Sequence, residues 1–153
     1  MFKKTYLLTL LAAFTLVFTS CEKDKDDADP KPRIDVSQLE KHEWLVTKHT
    51  VKVGTQEADV IEDEYESDVY AQFDGEGEFI LTAEEAENNF AGSYEVDNGQ
   101  ITWDYPLSII AYMKGESEST YNIEELNAST FRISFSTKIN GKTVEENMTL
   151  KAQ

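Results

Sequence analysis

Phe131-Arg132-Ile133-Ser134-Phe135-Ser136-Thr137-Lys138-Ile139-Asn140-Gly141-Lys142-Thr143-Val144-Glu145-Glu146-Asn147-Met148-Thr149-Leu150 specifies a hairpin without help from the rest of the chain. Asn140-Gly141 divides two strand-like runs, and both residues accept the positive φ of a two-residue type I′ turn. Pairing outward sets Thr137 against Val144, Phe135 against Glu146, Ile133 against Met148 and Phe131 against Leu150. The opposite face receives Lys138, Ser136, Ser134 and Arg132 against Thr143, Glu145, Asn147 and Thr149. Side chains alternate along a strand, so a slip of one residue would mix the two sets. One face is apolar except for Glu146, and the other is polar.

Working outward, the same logic applies three more times. Asn98-Gly99 sets Val96 against Ile101 and Tyr94 against Trp103 on one face, with Glu95 opposite Thr102 on the other. The loop Gly75-Glu76-Gly77 pairs Phe73 with Phe79 and Ala71 with Leu81. The loop Asn127-Ala128-Ser129 pairs Ile123 with Ile133 and Tyr121 with Phe135, which makes the end of the chain a three-stranded meander. Further strands are expected at Trp44–Val53, weakly near Gln56–Ile61, and at the apolar run Ile109–Met113. Residues 36–42 suit a short helical turn capped by Asp35 or Ser37. The acid-rich segment 83–89 reads equally as a helical turn or a long loop. Many short antiparallel strands with tight turns suit a barrel or a sandwich. The expected fold is all-β, a small antiparallel up-and-down barrel of about eight strands over residues 34–153, with a short N-terminal helical turn.

Residues 1–20 have the build of a secretory signal: Lys3 and Lys4, the apolar run Leu7 to Phe18, then Thr19 and Ser20. That run is too short for a bilayer-spanning helix, which needs about 20 residues. Cys21 is the single cysteine of the 153-residue chain, so an intramolecular disulfide is excluded. Phe18-Thr19-Ser20-Cys21 resembles a bacterial lipobox, in which the cysteine is acylated (palmitate or a similar chain) and becomes the first mature residue. Residues 21–33 then form a lipidated, disordered tether, because Glu22 to Arg33 is charged, contains two prolines and has no large apolar side chain. Within it, Lys23-Asp24-Lys25-Asp26-Asp27 resembles the export signal of surface lipoproteins of some Gram-negative bacteria. The resemblance implies an outer-membrane, surface-exposed protein of the cell envelope. Removing residues 1–20 leaves 12 Lys and Arg against 30 Asp and Glu, a net charge of −18. So acidic a chain repels nucleic acid and anionic headgroups, leaving the lipid on Cys21 as the expected membrane contact.

The landmarks Leu39 and Trp44, Phe73-Asp74-Gly75-Glu76-Gly77, Gly92-Ser93-Tyr94, Asn98-Gly99, Trp103 and Leu150-Lys151 stand in an order that resembles the lipocalin-like domains of bacterial lipoproteins. The resemblance runs from about residue 37 to the end. His42 takes the place of the usual glycine before the tryptophan, and Leu39 lies one residue further from Trp44 than is common. Such a domain implies a barrel fold and leaves function open, since sites are grafted onto folds independently.

Chemistry is sparse. His42 and His49 are seven residues apart, which on one strand places them on opposite faces, and both are expected at surface or interfacial positions. Neither a metal-ligand spacing nor a Gly-x-Ser-x-Gly elbow occurs, and no cofactor or metal is expected. Asp74-Gly75-Glu76-Gly77-Glu78 resembles a calcium loop but has Phe79 where an EF-hand needs glycine. Glu62, Asp63, Glu64, Glu66 and Asp68 read as a solvated charge run, with weak calcium binding left open. Glu125 and Glu146 are the two acids phased onto an apolar face. They are too far apart along the meander for a glycosidase pair, which needs about 5 to 9.5 Å. The expected function is therefore non-enzymatic. The barrel binds a small apolar ligand through Tyr94, Trp103, Tyr121, Phe135, Glu146 and Met148, or those side chains fill a closed core and the protein acts as a surface interaction or assembly subunit for another envelope protein. Hydrolysis of an envelope glycan or peptide is the minor alternative.

Overall fold

The computed structural model describes residues 34–61, 65, 67–83 and 89–153. The signal, the lipobox with Cys21, the tether, Glu62, Asp63, Glu64, Glu66 and most of segment 83–89 lie outside the described residues. All described residues belong to one compact unit, Ile34–Gln153.

The elements run α1 (Ser37–Lys41), β1 (Trp44–Val53), β2 (Gln56–Asp59), β3 (Val69–Phe73), β4 (Glu78–Ala83), β5 (Phe90–Asp97), β6 (Gln100–Trp103), α2 (Ile109–Lys114), β7 (Ser119–Leu126), β8 (Thr130–Ile139) and β9 (Lys142–Ala152). Each strand from β3 to β9 pairs antiparallel with its neighbour in sequence, and β1 joins β3 on one side and β9 on the other. Eight strands thus close an up-and-down barrel, and β2 is a ninth that pairs only with the far half of β1. Closure removes the unpaired edges that an open sheet would expose.

The registers expected from Asn98-Gly99, Asn140-Gly141 and the 75–77 loop are present, and that from the 127–129 loop holds at Ile123 and Ile133 but is shifted by one residue beside the turn, where Leu126 faces Phe131. Phe135 faces Glu146, Ile133 faces Met148 and Phe131 faces Leu150. Tyr94 faces Trp103, Phe73 faces Phe79, and Ile123 faces Ile133. Asn98-Gly99 and Asn140-Gly141 both take the positive φ of type I′ turns, at 48° and 78° and at 50° and 79°.

Because strands alternate in direction, the barrel has two distinct ends. One carries α1, the 74–77 turn, the Asn98–Gly99 turn and the chain terminus at Gln153. There Leu39 of α1 is fully buried and its carbonyl accepts the Trp44 indole N–H at 2.9 Å. The N-cap of α1 is Val36, without a side-chain cap bond, and Asp35 just before it accepts from Ser37 N and from the Ser37 and Gln38 side chains. On β5, Gly92 is required by packing: a Cβ would lie 2.7 Å from both the Phe79 ring and an Asp104 carboxylate oxygen. The opposite end carries α2 and the Asn140–Gly141 turn.

The run Ile109–Met113 is helix, not the expected strand. Ser108 is its N-cap, accepting from Ala111 N at 3.2 Å, and Gly115 closes it in the left-handed region at φ 70°. Those two caps outweigh the β-branched Ile109-Ile110 pair. The core between the ends is dominated by Trp44, Phe79, Trp103, Tyr121, Phe131, Ile133, Met148 and Leu150, each at most 1% exposed.

Candidate functional site

Glu146 is fully buried on the inner face of β9, beneath α2. A buried carboxylate without partners would be costly, and here both oxygens are supplied from the chain itself. Oε1 accepts from His49 Nε2 at 2.7 Å and from Ile109 N at 2.9 Å. Oε2 accepts from Ile110 N at 3.2 Å, Ser108 Oγ at 3.1 Å and Tyr121 OH at 3.0 Å. Two of these donors are amides of the first helical turn, where the helix dipole favours negative charge. Burial alone would raise the Glu146 carboxyl. The hydrogen bond and charge of His49 and the amides of Ile109 and Ile110 outweigh it and hold the carboxyl below its ordinary value.

His49 continues the network on its other side. Its Nδ1 lies 2.9 Å from Tyr65 OH, and Tyr65 OH lies 2.7 Å from Tyr105 OH. The His49 ring thus joins the carboxylate on one side to the Tyr65 and Tyr105 hydroxyls on the other in one continuous chain of hydrogen bonds. Burial pushes the Tyr105 phenol well above its usual value, with Tyr65 and Glu146 adding to it. Tyr121 is raised in the same way, by burial first and by the Glu146 charge second.

His49 and Glu125 depart from expectation, whereas His42 is half-buried as an interfacial residue would be. His49 is fully buried, not a surface residue. The reason is a bulge in β1: Val46 faces Leu150 but Lys48 faces Thr149, so Thr47 is an extra residue. Trp44 and Val46 point inward before it, and His49 and Val51 after it. His42 follows α1 instead of lying on β1, packing edge-on against Trp44 at 5.5 Å. Glu125 lies outside the apolar face because β7 also has a bulge, between Ile123 and Glu125. Its carboxylate pairs with Arg132 at 3.2 Å.

Of the residues expected to line a ligand site, the structure brings Tyr121, Phe135, Glu146 and Met148 together below α2. The Tyr121 and Phe135 rings are 5.7 Å apart. Trp103 is buried higher in the aromatic stack, against Tyr105 at 4.6 Å and Phe73 at 5.8 Å. Tyr94 belongs to the other end, where its hydroxyl accepts from Gly75 N at 3.1 Å and its ring packs on Phe73. His49, Tyr65, Tyr105 and Ser108 were missed as members of the site. Ser108 had a signal, as a serine seven residues before a glycine with an apolar run between. The tyrosines had none.

The arrangement contains a serine, a histidine and a glutamate, but in an order that does not activate a nucleophile. Ser108 Oγ contacts the carboxylate, and His49 spends its nitrogens on Glu146 and Tyr65. Activation would need the imidazole between acid and serine. What the geometry does achieve is to bolt α2 across the barrel end. In the 74–77 turn, the calcium-like acids bind backbone: Asp74 Oδ1 accepts from Glu76 N and Glu78 N, which hold its carboxyl low. Among the described residues, no three His, Cys, Asp or Glu side chains converge as a metal ion would need. Neither a protein-family model nor a curated protein matches this chain.

Proposed function

We propose that this chain is a lipid-anchored cell-envelope protein whose barrel is a filled, non-enzymatic scaffold acting on another protein through its outer surface. The anchor rests on the sequence: a signal-like run, a lipobox-like Phe18-Thr19-Ser20-Cys21 and a charged spacer behind it. One observation carries the scaffold reading. The inner side chains that a ligand would meet are occupied with one another, and all five donors to the Glu146 carboxylate come from the protein. Small barrels commonly fill their interior this way.

A second reading, an apolar guest inside the barrel, has one observation in its favour. Among the described residues the buried Trp103 indole N–H has no hydrogen-bond partner, and a guest bearing an acceptor would satisfy it.

Two measurements test the proposal. Cys21→Ser should move the protein from the membrane fraction to the soluble one and abolish incorporation of labelled palmitate. Retention after a high-salt wash would end the anchor reading. In NMR spectra of the purified protein, the Trp103 indole proton and the Met148 methyl should stay in place when a neutral apolar probe such as Nile red is added. Displacement of both would replace the scaffold with a carrier.

A further inference from the structure

Asn98-Gly99 and Asn140-Gly141 are one dipeptide in one kind of turn, with φ of 48° and 78° in the first and 50° and 79° in the second. Their intrinsic chemistry is therefore equal, and any difference comes from what surrounds them. Asn-Gly is prone to attack on itself, because glycine has no Cβ to shield its backbone nitrogen from the asparagine side chain. Both turns hold the asparagine in the left-handed region, and its backbone must leave that conformation before the nitrogen can reach Cγ. The free energy of local opening then decides which turn reacts.

The first turn is held by a third strand. Gly99 O accepts from Ile123 N of β7 at 2.8 Å, and Gln100 beside it pairs with Asn122 of β7. Ile34 Cδ1 lies 3.2 Å from the position of a Gly99 Cβ, and the Asn98 side-chain amide donates to Asp97 at 2.8 Å. Opening this turn disturbs those contacts as well as its own hairpin. The second turn is the tip of a two-stranded ribbon. β8 pairs with β7 only as far as Ser134, so Phe135 to Ile139 pair with β9 alone. A cleft of about 650 Å³, lined by residues 114–120 and Phe135, opens beside that stretch. Across β9, β1 reaches no further than Val144 in register and Thr143 O through the Gly54 amide. Both Asn140 and Gly141 are exposed, and among the described residues nothing lies within 4 Å of a Gly141 Cβ position.

We propose that Asn140 is a site of spontaneous deamidation and that Asn98, in the same dipeptide, is protected by the barrel. The Gly141 backbone nitrogen attacks Cγ of Asn140. The new N–Cγ bond replaces the bond to the side-chain nitrogen, which leaves as ammonia with the proton of the Gly141 N–H. Water then opens the cyclic imide at either carbonyl, giving aspartate or isoaspartate with no change of oxidation state. Isoaspartate puts the side-chain methylene into the main chain, which a two-residue type I′ turn cannot absorb. Ile139, next to the turn, packs on the cluster of Val51, Ile110 and Val144, so the modified turn loosens the footing of α2.

The test stores the purified Cys21→Ser protein in mildly alkaline buffer, folded and in urea, and follows both dipeptides by peptide mapping. Loss of the side-chain amide is read by mass, and isoaspartate by its methyl acceptance from an isoaspartyl methyltransferase. In the folded protein Asn140 should convert at least about tenfold faster than Asn98, because only its turn opens without disturbing a third strand. In urea, where neither turn exists, the two rates should come together. Equal rates in the folded protein would overturn the proposal. So would a difference that persists unchanged in urea, since it would then belong to the flanking residues and not to the fold. The isoaspartate-rich fraction should melt at a lower temperature and exchange its amides faster at residues 109–115 than unmodified protein. Unchanged exchange there would overturn the link between the turn and α2.

Discussion

Glu146 and His49 are each fully buried, on strands far apart in sequence, and neither is tolerable there without the other. Removing one partner of such a pair leaves an uncompensated polar group, which typically costs about 3–5 kcal/mol. His49→Ala should therefore destabilise the protein by about that much in urea denaturation. Replacing both with leucine should recover a large part of the loss, since an apolar pair needs no solvation. A double substitution no more stable than His49→Ala would mean that the carboxylate's bonds to α2, not its pairing with His49, dominate. Gly92 makes the other residue-scale case: Gly92→Ala should cost about 1–3 kcal/mol, because the new methyl must displace the Phe79 ring.

Among the elements, the β1 bulge and α2 make the site together. The bulge changes which side chains of β1 point inward, and Thr47 Oγ1 secures it by donating to Thr149 O at 3.1 Å. Deleting Thr47 should remove the bulge and leave strict alternation with Lys48 still outward and His49 and Val51 still inward, so the cooperative melt seen by circular dichroism should persist; its loss would show that the bulge itself is needed to close the barrel. For α2, the amides of Ile109 and Ile110 need an acceptor because nothing precedes them within the helix. Glu146 supplies it, and Ser108 supplies the next bond. Ser108→Ala should cost about 1–2 kcal/mol and raise amide exchange across residues 109–115 before the rest of the barrel. Uniform exchange over the whole chain would show that α2 is not a separate unit of stability.

For the molecule as a whole, stability should fall away at both extremes of pH. Glu146 is held below its ordinary value, so its contribution is present above the carboxylate range and is lost as pH falls through it. Tyr105 and Tyr121 are shifted upward, so their contribution is full below about pH 10 and is lost as pH rises beyond it. Melting temperatures measured from about pH 3 to 11 should show both limbs. Glu146→Gln should flatten the acid limb and Tyr121→Phe should soften the alkaline one. An unchanged acid limb in Glu146→Gln would assign it to surface carboxylates such as Asp35 and Asp74.

Local chemistry made the barrel legible in the sequence. Asn-Gly pairs choose their turn from backbone sterics, and the turn fixes the register of every pair outward from it, so Phe135 opposite Glu146 followed from residues 131–150 alone. The sequence by itself thus determined the hairpins, the apolar inner face and the anomaly of an acid upon it. What became of that acid was decided only by tertiary structure. Its partner is 97 residues away, and His49 reaches it only because one extra residue in β1 reverses an alternation that local pattern takes to be continuous. The same holds for Ile109–Met113, whose apolar run fits a strand or a helix equally well until Glu146 offers its first amides an acceptor. A turn is an agreement between neighbours in the chain, whereas a buried charge is settled by whatever the closed barrel brings to it.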